Sequence, residues 1–110
     1  MENSTRIINL TGHAINLRTK EGTLVRYFRP YPIKIVLKEV KEHAGILDGV
    51  RIEKVSYTRP DWMPKVKEGV YYIVGKIVKA YFPEREDFLV PCSVVRNEKG
   101  HISGVETLAF

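Results

Sequence analysis

His13 is, by residue type, the side chain best suited to proton transfer near neutral pH, and it follows two polar neighbours, Asn9 and Thr11. An imidazole can act there as acid or base, and an adjacent amide or hydroxyl can orient a substrate. The same residues have a simpler use. Asn and Thr side chains bond turn backbone, which leaves His13 to open the following strand. Arg85-Glu86-Asp87 is the second constellation. An Arg-x-Asp spacing suits either phosphate capture by the guanidinium or a bidentate ion pair that locks a loop, with Arg96 as a further partner. Asp87 by itself is a poor metal ligand, because divalent cations need several such groups. A small hydrolase or nuclease would draw its catalytic set from His13, Arg85 and Asp87.

Basic and aromatic residues interleave in Arg26-Tyr27-Phe28-Arg29-Pro30-Tyr31. On a sheet face such rings can stack on bases while Arg and Lys neutralise phosphates. Arg18, Arg26, Tyr27, Arg29, Tyr31 and Lys34 are therefore the candidate nucleic-acid contacts. A regular strand puts Tyr27 and Phe28 on opposite faces, so at least one of them belongs to the core. Trp62-Met63 lies between Pro60 and Pro64 in a loop. Exposed, the pair would anchor a protein partner; folded back, it would plug one end of the sheet. Cys92 follows Pro91 with no base beside it to activate the thiol, and it reads as a small buried hydrophobe. As the only cysteine it allows no internal disulfide and no Cys-based zinc site within one chain. His13, His43 and His101 show no metal spacing, so neither a metal nor a cofactor is implied.

The elements that must position these residues are those of a small protein. With 110 residues, 44% of them hydrophobic and 28% charged, the chain suits one globular domain, residues 1–110, with one core. No apolar run approaches the roughly 18–20 residues of a membrane span, and Met1 to Arg6 lacks the features of a signal peptide. The expected setting is a reducing cytoplasm, with no membrane partner. Glutamine is absent while Lys, Glu, Ile and Val are frequent, a bias that matches a hyperthermophilic, archaeal-type source. The net charge of +5 is uneven: residues 1–38 hold seven basic side chains against Glu2 and Glu21, and the remainder is balanced. That basic N-terminal third makes polyanion binding thinkable, although a charge of +5 on a domain this size also occurs in proteins that never touch nucleic acid.

Periodicity predicts about seven short strands and one short helix, an α+β but mostly β fold whose sheet curls toward a barrel. Strands are expected at Arg6–Leu10, around Ile15 and Leu17, over Thr23–Tyr27, and at Ile33–Lys38, where Ile33, Ile35 and Leu37 alternate with lysines. Glu39–Ala44 is either a single helical turn or a loop. Asp48-Gly49 is a hairpin turn, and the phase change between Ile52 and Val55 calls for a bulge near Glu53-Lys54. Val70–Val74 reads as a strand buried on both faces. Ile77, Val78, Tyr81 and Phe82 form a helical stripe that Pro83 ends. Ser93–Arg96 and His101–Leu108 make a closing hairpin across Asn97–Gly100.

Three anchors carry a resemblance: Asn9-Leu10-Thr11-Gly12-His13, Gly69-Val70-Tyr71-Tyr72-Ile73-Val74-Gly75, and Arg85-Glu86-Asp87 followed by Pro91 and Val95-Arg96-Asn97-Glu98-Lys99-Gly100. Together they resemble a small uncharacterised family found in phages, mobile elements and prokaryotic genomes. Its members carry an Asn-Leu-Thr-Pro-His stretch, an Ile-Tyr-Ile-Val-Ser strand and an Arg-x-Asp segment. Here Gly12 stands for the proline and Gly75 for the serine. The resemblance implies a mobile-element context, in the host cytoplasm for a viral protein, and no reaction. Three functions follow as expectations: a non-enzymatic accessory domain acting through a protein partner or its basic face; an enzyme built on His13, Arg85 and Asp87; or a virion or assembly component that self-associates along exposed strand edges.

Overall fold

A computed structural model describes residues 5–110; Met1 to Ser4, which entered the signal-peptide reading, lie outside the described residues. The chain is mostly β, with eight strands in two sheets and one short helix among the described residues. The strands are β1 Arg6–Asn9, β2 Ile15–Arg18, β3 Leu24–Phe28, β4 Lys38–Leu47, β5 Val50–Thr58, β6 Val70–Ile73, β7 Phe88–Arg96 and β8 Ile102–Ala109, with α1 at Lys76–Tyr81 between β6 and β7. Six strands form the main sheet in the order β1-β6-β7-β8-β2-β3. β1, β6 and β7 run parallel, β7 pairs antiparallel with β8, β8 runs parallel to β2, and β2–β3 is a hairpin. The two edge strands come together at one point, where Asn9 bridges Pro30 and the Tyr31 N–H donates to the Asn9 carbonyl at 2.8 Å. The sheet is thus curled, and it stops short of a closed barrel.

That curl gives the core two sides. β6 alternates across them: Tyr72 and Val74 join Leu10, Ile35, Val78, Phe82 and Phe88 on one face, whereas Ile73 joins Ile15 and Phe28 on the other. The apolar run Val70–Val74 therefore faces both sides of the core as its composition predicted, with the strand ending at Ile73 and full burial confined to Tyr72, Ile73 and Val74. Each large side chain removed from water contributes about 1.5–3 kcal/mol, and Phe88, fully buried, sits at the centre of the first cluster. α1 covers that cluster through Val78 and Phe82, while Ile77 and Tyr81, assigned to the same stripe, are exposed. Six residues offer too few turns to bury four positions on one side.

Two expectations fail in the segment between β3 and β5. Ile33–Leu37 forms no strand and pairs with nothing among the described residues, and the strand begins at Lys38 and runs through Glu39–Ala44. The helix-or-loop reading there missed that the partner strand was the next one, Val50–Thr58, across Asp48-Gly49. Both turn residues have positive φ (49° and 76°), the twist a two-residue hairpin requires. The bulge expected near Glu53-Lys54 is not there: β5 pairs residue by residue through that point, and the irregularity lies on the opposite strand, where it leaves the phase of β5 unchanged. His43 pairs Glu53 and Gly45 pairs Ile52, leaving Ala44 as the extra residue. β4 and β5 pair only with each other and project as an arm. The radius of gyration is 17.4 Å and the longest extent 60 Å, against roughly 13–14 Å for a compact chain of this length.

Candidate nucleic-acid interface

The Asn9–Thr11–His13 cluster is built as a knot of backbone restraint. Asn9 is 2% exposed and uses its whole amide. Nδ2 donates to the carbonyls of His13 (2.6 Å) and Phe28 (3.1 Å), while Oδ1 accepts from the Thr11 N–H (3.0 Å) and hydroxyl (2.7 Å). These bonds tie the end of β1 to the end of β3 and shape the turn into β2. Gly12 sits in that turn at φ +83°, a conformation closed to proline, so its place here is tied to the shape of the turn. His13 is exposed and contributes its carbonyl to the knot.

Arg85 and Asp87 close on each other. Nε and Nη2 of Arg85 donate to the two carboxylate oxygens of Asp87 at 2.8 and 2.7 Å, with both side chains largely buried. The guanidinium lies 4.4 Å from the Phe88 ring centroid, and its bond to Asp87 raises its pKa above the ordinary value. This pair fixes the entry to β7, where the Asp87 carbonyl accepts from the Tyr72 N–H at 2.8 Å. The cleft lined by Arg85 and Asp87 is otherwise formed by residues 66–71, Glu84 and Glu86, and His13 has no part in it. The three residues of the enzyme reading are not brought into one cleft. Among the described residues no three His, Cys, Asp or Glu side chains group closely enough to hold a metal ion.

The basic and aromatic residues behave differently. One cleft of about 290 Å³ runs between β1 and the end of β3, lined by Arg6, Arg26, Tyr27, Arg29 and Tyr31 among others. A second, of about 490 Å³, is lined by Arg6, Tyr31, Trp62, Met63, Lys65, Lys67 and Tyr72 together with Ile8, Leu10 and Pro64. The two share Arg6, Ile8 and Tyr31, so they form one track. Its lining holds five cations, Arg6, Arg26, Arg29, Lys65 and Lys67, and no carboxylate among the described residues. Tyr27, Tyr31 and Trp62 are exposed along it, at 54%, 42% and 37%. Phe28 faces inward, buried, with the Arg26 guanidinium 4.5 Å from its ring centroid. Tyr72 forms the floor; burial raises its pKa, with Asp87 adding to the effect.

Several sequence candidates lie elsewhere. Arg18 spends its guanidinium on the carbonyls of Ser103 (3.0 Å) and Gly22 (2.9 Å), in a cleft that also contains Glu21 and Glu98. Lys34 is exposed and lies over the Gly12 turn. The basic N-terminal third is accordingly split, and Arg6, Arg26 and Arg29 are its share of the track. Trp62 and Met63 divide the two roles weighed for them, Trp62 being an exposed wall while Met63 packs against the core. Cys92 is exposed rather than buried. β6 ends at Ile73 opposite Leu89, so β7 runs on without that neighbour, and Cys92 to Val94 face solvent before the strand is buried again at Val95. Sequence reasoning missed Lys65, Lys67 and the role of Arg6. The available signal was the proximity of Lys65 and Lys67 to Trp62 in a loop free to fold against β1.

Compared with known proteins, the chain matches no family model, no curated protein and no solved structure. Among the described residues no helix is long and apolar enough to cross a membrane.

Proposed function

We propose that this protein is a non-enzymatic accessory domain that binds single-stranded nucleic acid along the track from Arg26 to Lys67. The observation that carries the reading is the union of five cations, three exposed aromatic rings and no carboxylate in two adjoining clefts. Cations alone would suit any polyanion. Interleaved rings favour a ligand with accessible base faces, which a single strand offers and a stacked duplex withholds. The hydrolase reading is weaker on geometry, because Arg85 and Asp87 are engaged with each other and His13 lies outside their cleft.

The test is fluorescence anisotropy with labelled oligonucleotides over a salt series. Five phosphate contacts on a single strand give a slope of log K against log salt of about −3.5. Reversing Arg26 and Arg29 to Glu flattens that slope and weakens binding, whereas Trp62→Ala costs about 1–3 kcal/mol and leaves the slope unchanged. A duplex of equal length binds more weakly than the single strand. Indifference to the charge reversals, or no retention at low salt, overturns the proposal.

A further inference from the structure

The β4–β5 arm raises a separate question, because neither of its strands has a neighbour on its outer side among the described residues. A two-stranded ribbon is marginal in water by itself, and an open edge invites another strand. The arm is also electrically neutral: Lys38, Lys41, Arg51 and Lys54 balance Glu39, Glu42, Asp48 and Glu53, while the excess positive charge stays on the body. Two arms can therefore meet without net repulsion.

The residues on the β4 edge are more specific than that. Lys38-Glu39-Val40-Lys41-Glu42 is charge-complementary to itself when run antiparallel. Centred on Val40, the register sets Lys38 opposite Glu42, Glu39 opposite Lys41, and Val40 opposite Val40. A twofold axis makes each heteropair occur twice, so opposite-charge pairs flank the centre on both sides. Lys38, Glu39, Lys41 and Glu42 are all exposed, and the one ion pair among them, Lys41 to Glu39 at 3.3 Å, is a surface contact free to exchange partners. The whole self-complementary stretch lies on the base side of the Ala44 bulge, in regular strand. β5 offers less, with only Arg51 and Glu53 matched about Ile52.

We infer that two copies of this chain pair through β4, forming a continuous antiparallel sheet in the order β5-β4-β4-β5. The same register, carried along both chains, runs the arm tip past residues 33–37 of the other copy. The exposed apolar side chains fall on both sides of that meeting: Ile46, Leu47 and Val50 at the tip, Ile33 and Val36 on the segment. The segment 33–37 alternates like a strand yet pairs with nothing among the described residues of its own chain, and the second copy supplies what it lacks. This inference is independent of the nucleic-acid reading, since no residue of the track lies on the arm.

The experiment is sedimentation equilibrium on the full chain and on charge variants, with circular dichroism to confirm folding. The wild type is expected to be a dimer. Lys41→Glu sets the introduced carboxylate against Glu39 of the other copy, twice over, and weakens association by roughly tenfold or more. Glu39→Lys does the same with ammonium groups. An equimolar mixture of the two variants restores a dimer, because every charged pair across that heterodimer is again of opposite sign. A monomeric wild type overturns the inference, as does a dimer that Lys41→Glu leaves unchanged or that yields only to Arg51→Glu.

Discussion

At the scale of single residues, Asn9 shows how a polar cluster with catalytic composition can be structural. Its side chain is buried, makes four hydrogen bonds, and joins the end of β1 to the turn that follows and to the end of β3. Asn9→Ala takes the amide donor from the Phe28 carbonyl, leaves the His13 carbonyl with only the Thr11 hydroxyl, and leaves the Thr11 N–H without its acceptor. The expected cost is about 3 kcal/mol, a fall in Tm on the order of 12 °C by thermal denaturation. Thr11→Val removes only the hydroxyl and costs less, because the amide of Asn9 keeps its backbone partners. An unchanged Tm for Asn9→Ala would mean that the edge contact at Pro30 is held by the main chain alone. The cluster was visible in the sequence, but its role was not, since Phe28 lies nineteen positions away and no local pattern announces it.

Elements were legible wherever local chemistry decides them. β6 between two glycines, α1 stopped by Pro83, and the closing hairpin all follow from propensity and turn residues. The arm did not, because strand pairing over Glu39–Ala44 depends on a partner that the alternation of β4 itself does not name. α1 gives the cleanest prediction at this scale. Gly75 is its N-cap, with φ −70° and ψ 157°, no side-chain cap, and open space where a Cβ would stand. Gly75→Ser supplies an acceptor for a free helix N–H in a backbone geometry serine accepts, and it reduces the freedom of the unfolded chain. A gain of about 0.5–1 kcal/mol is expected, measured as a higher denaturant midpoint at unchanged m-value. A loss would show that the helix start is held by the Val78–Phe82 packing and gains nothing from a cap.

For the whole molecule, the division between body and arm decides how stability is distributed. The body holds both core clusters, whereas the arm is anchored near its base by Tyr57, whose ring meets Tyr81 of α1 edge-on at 5.4 Å. Its remaining side chains are mostly exposed, so opening the arm forfeits little buried apolar area. Its amides therefore exchange through local opening and those of β6 and β7 through global unfolding. In the Lys41→Glu variant, held as a monomer, hydrogen exchange should run fastest near the arm tip and slow toward Tyr57, well ahead of β6. If two copies pair as inferred, β4 against β4 adds protection to alternate residues of Lys38–Glu42, the outward-facing half of the strand, and spares the free edge of β5. Equal protection of arm and body in the monomeric variant would contradict this division. It would require the arm to draw on the core through more than its Tyr57 contact.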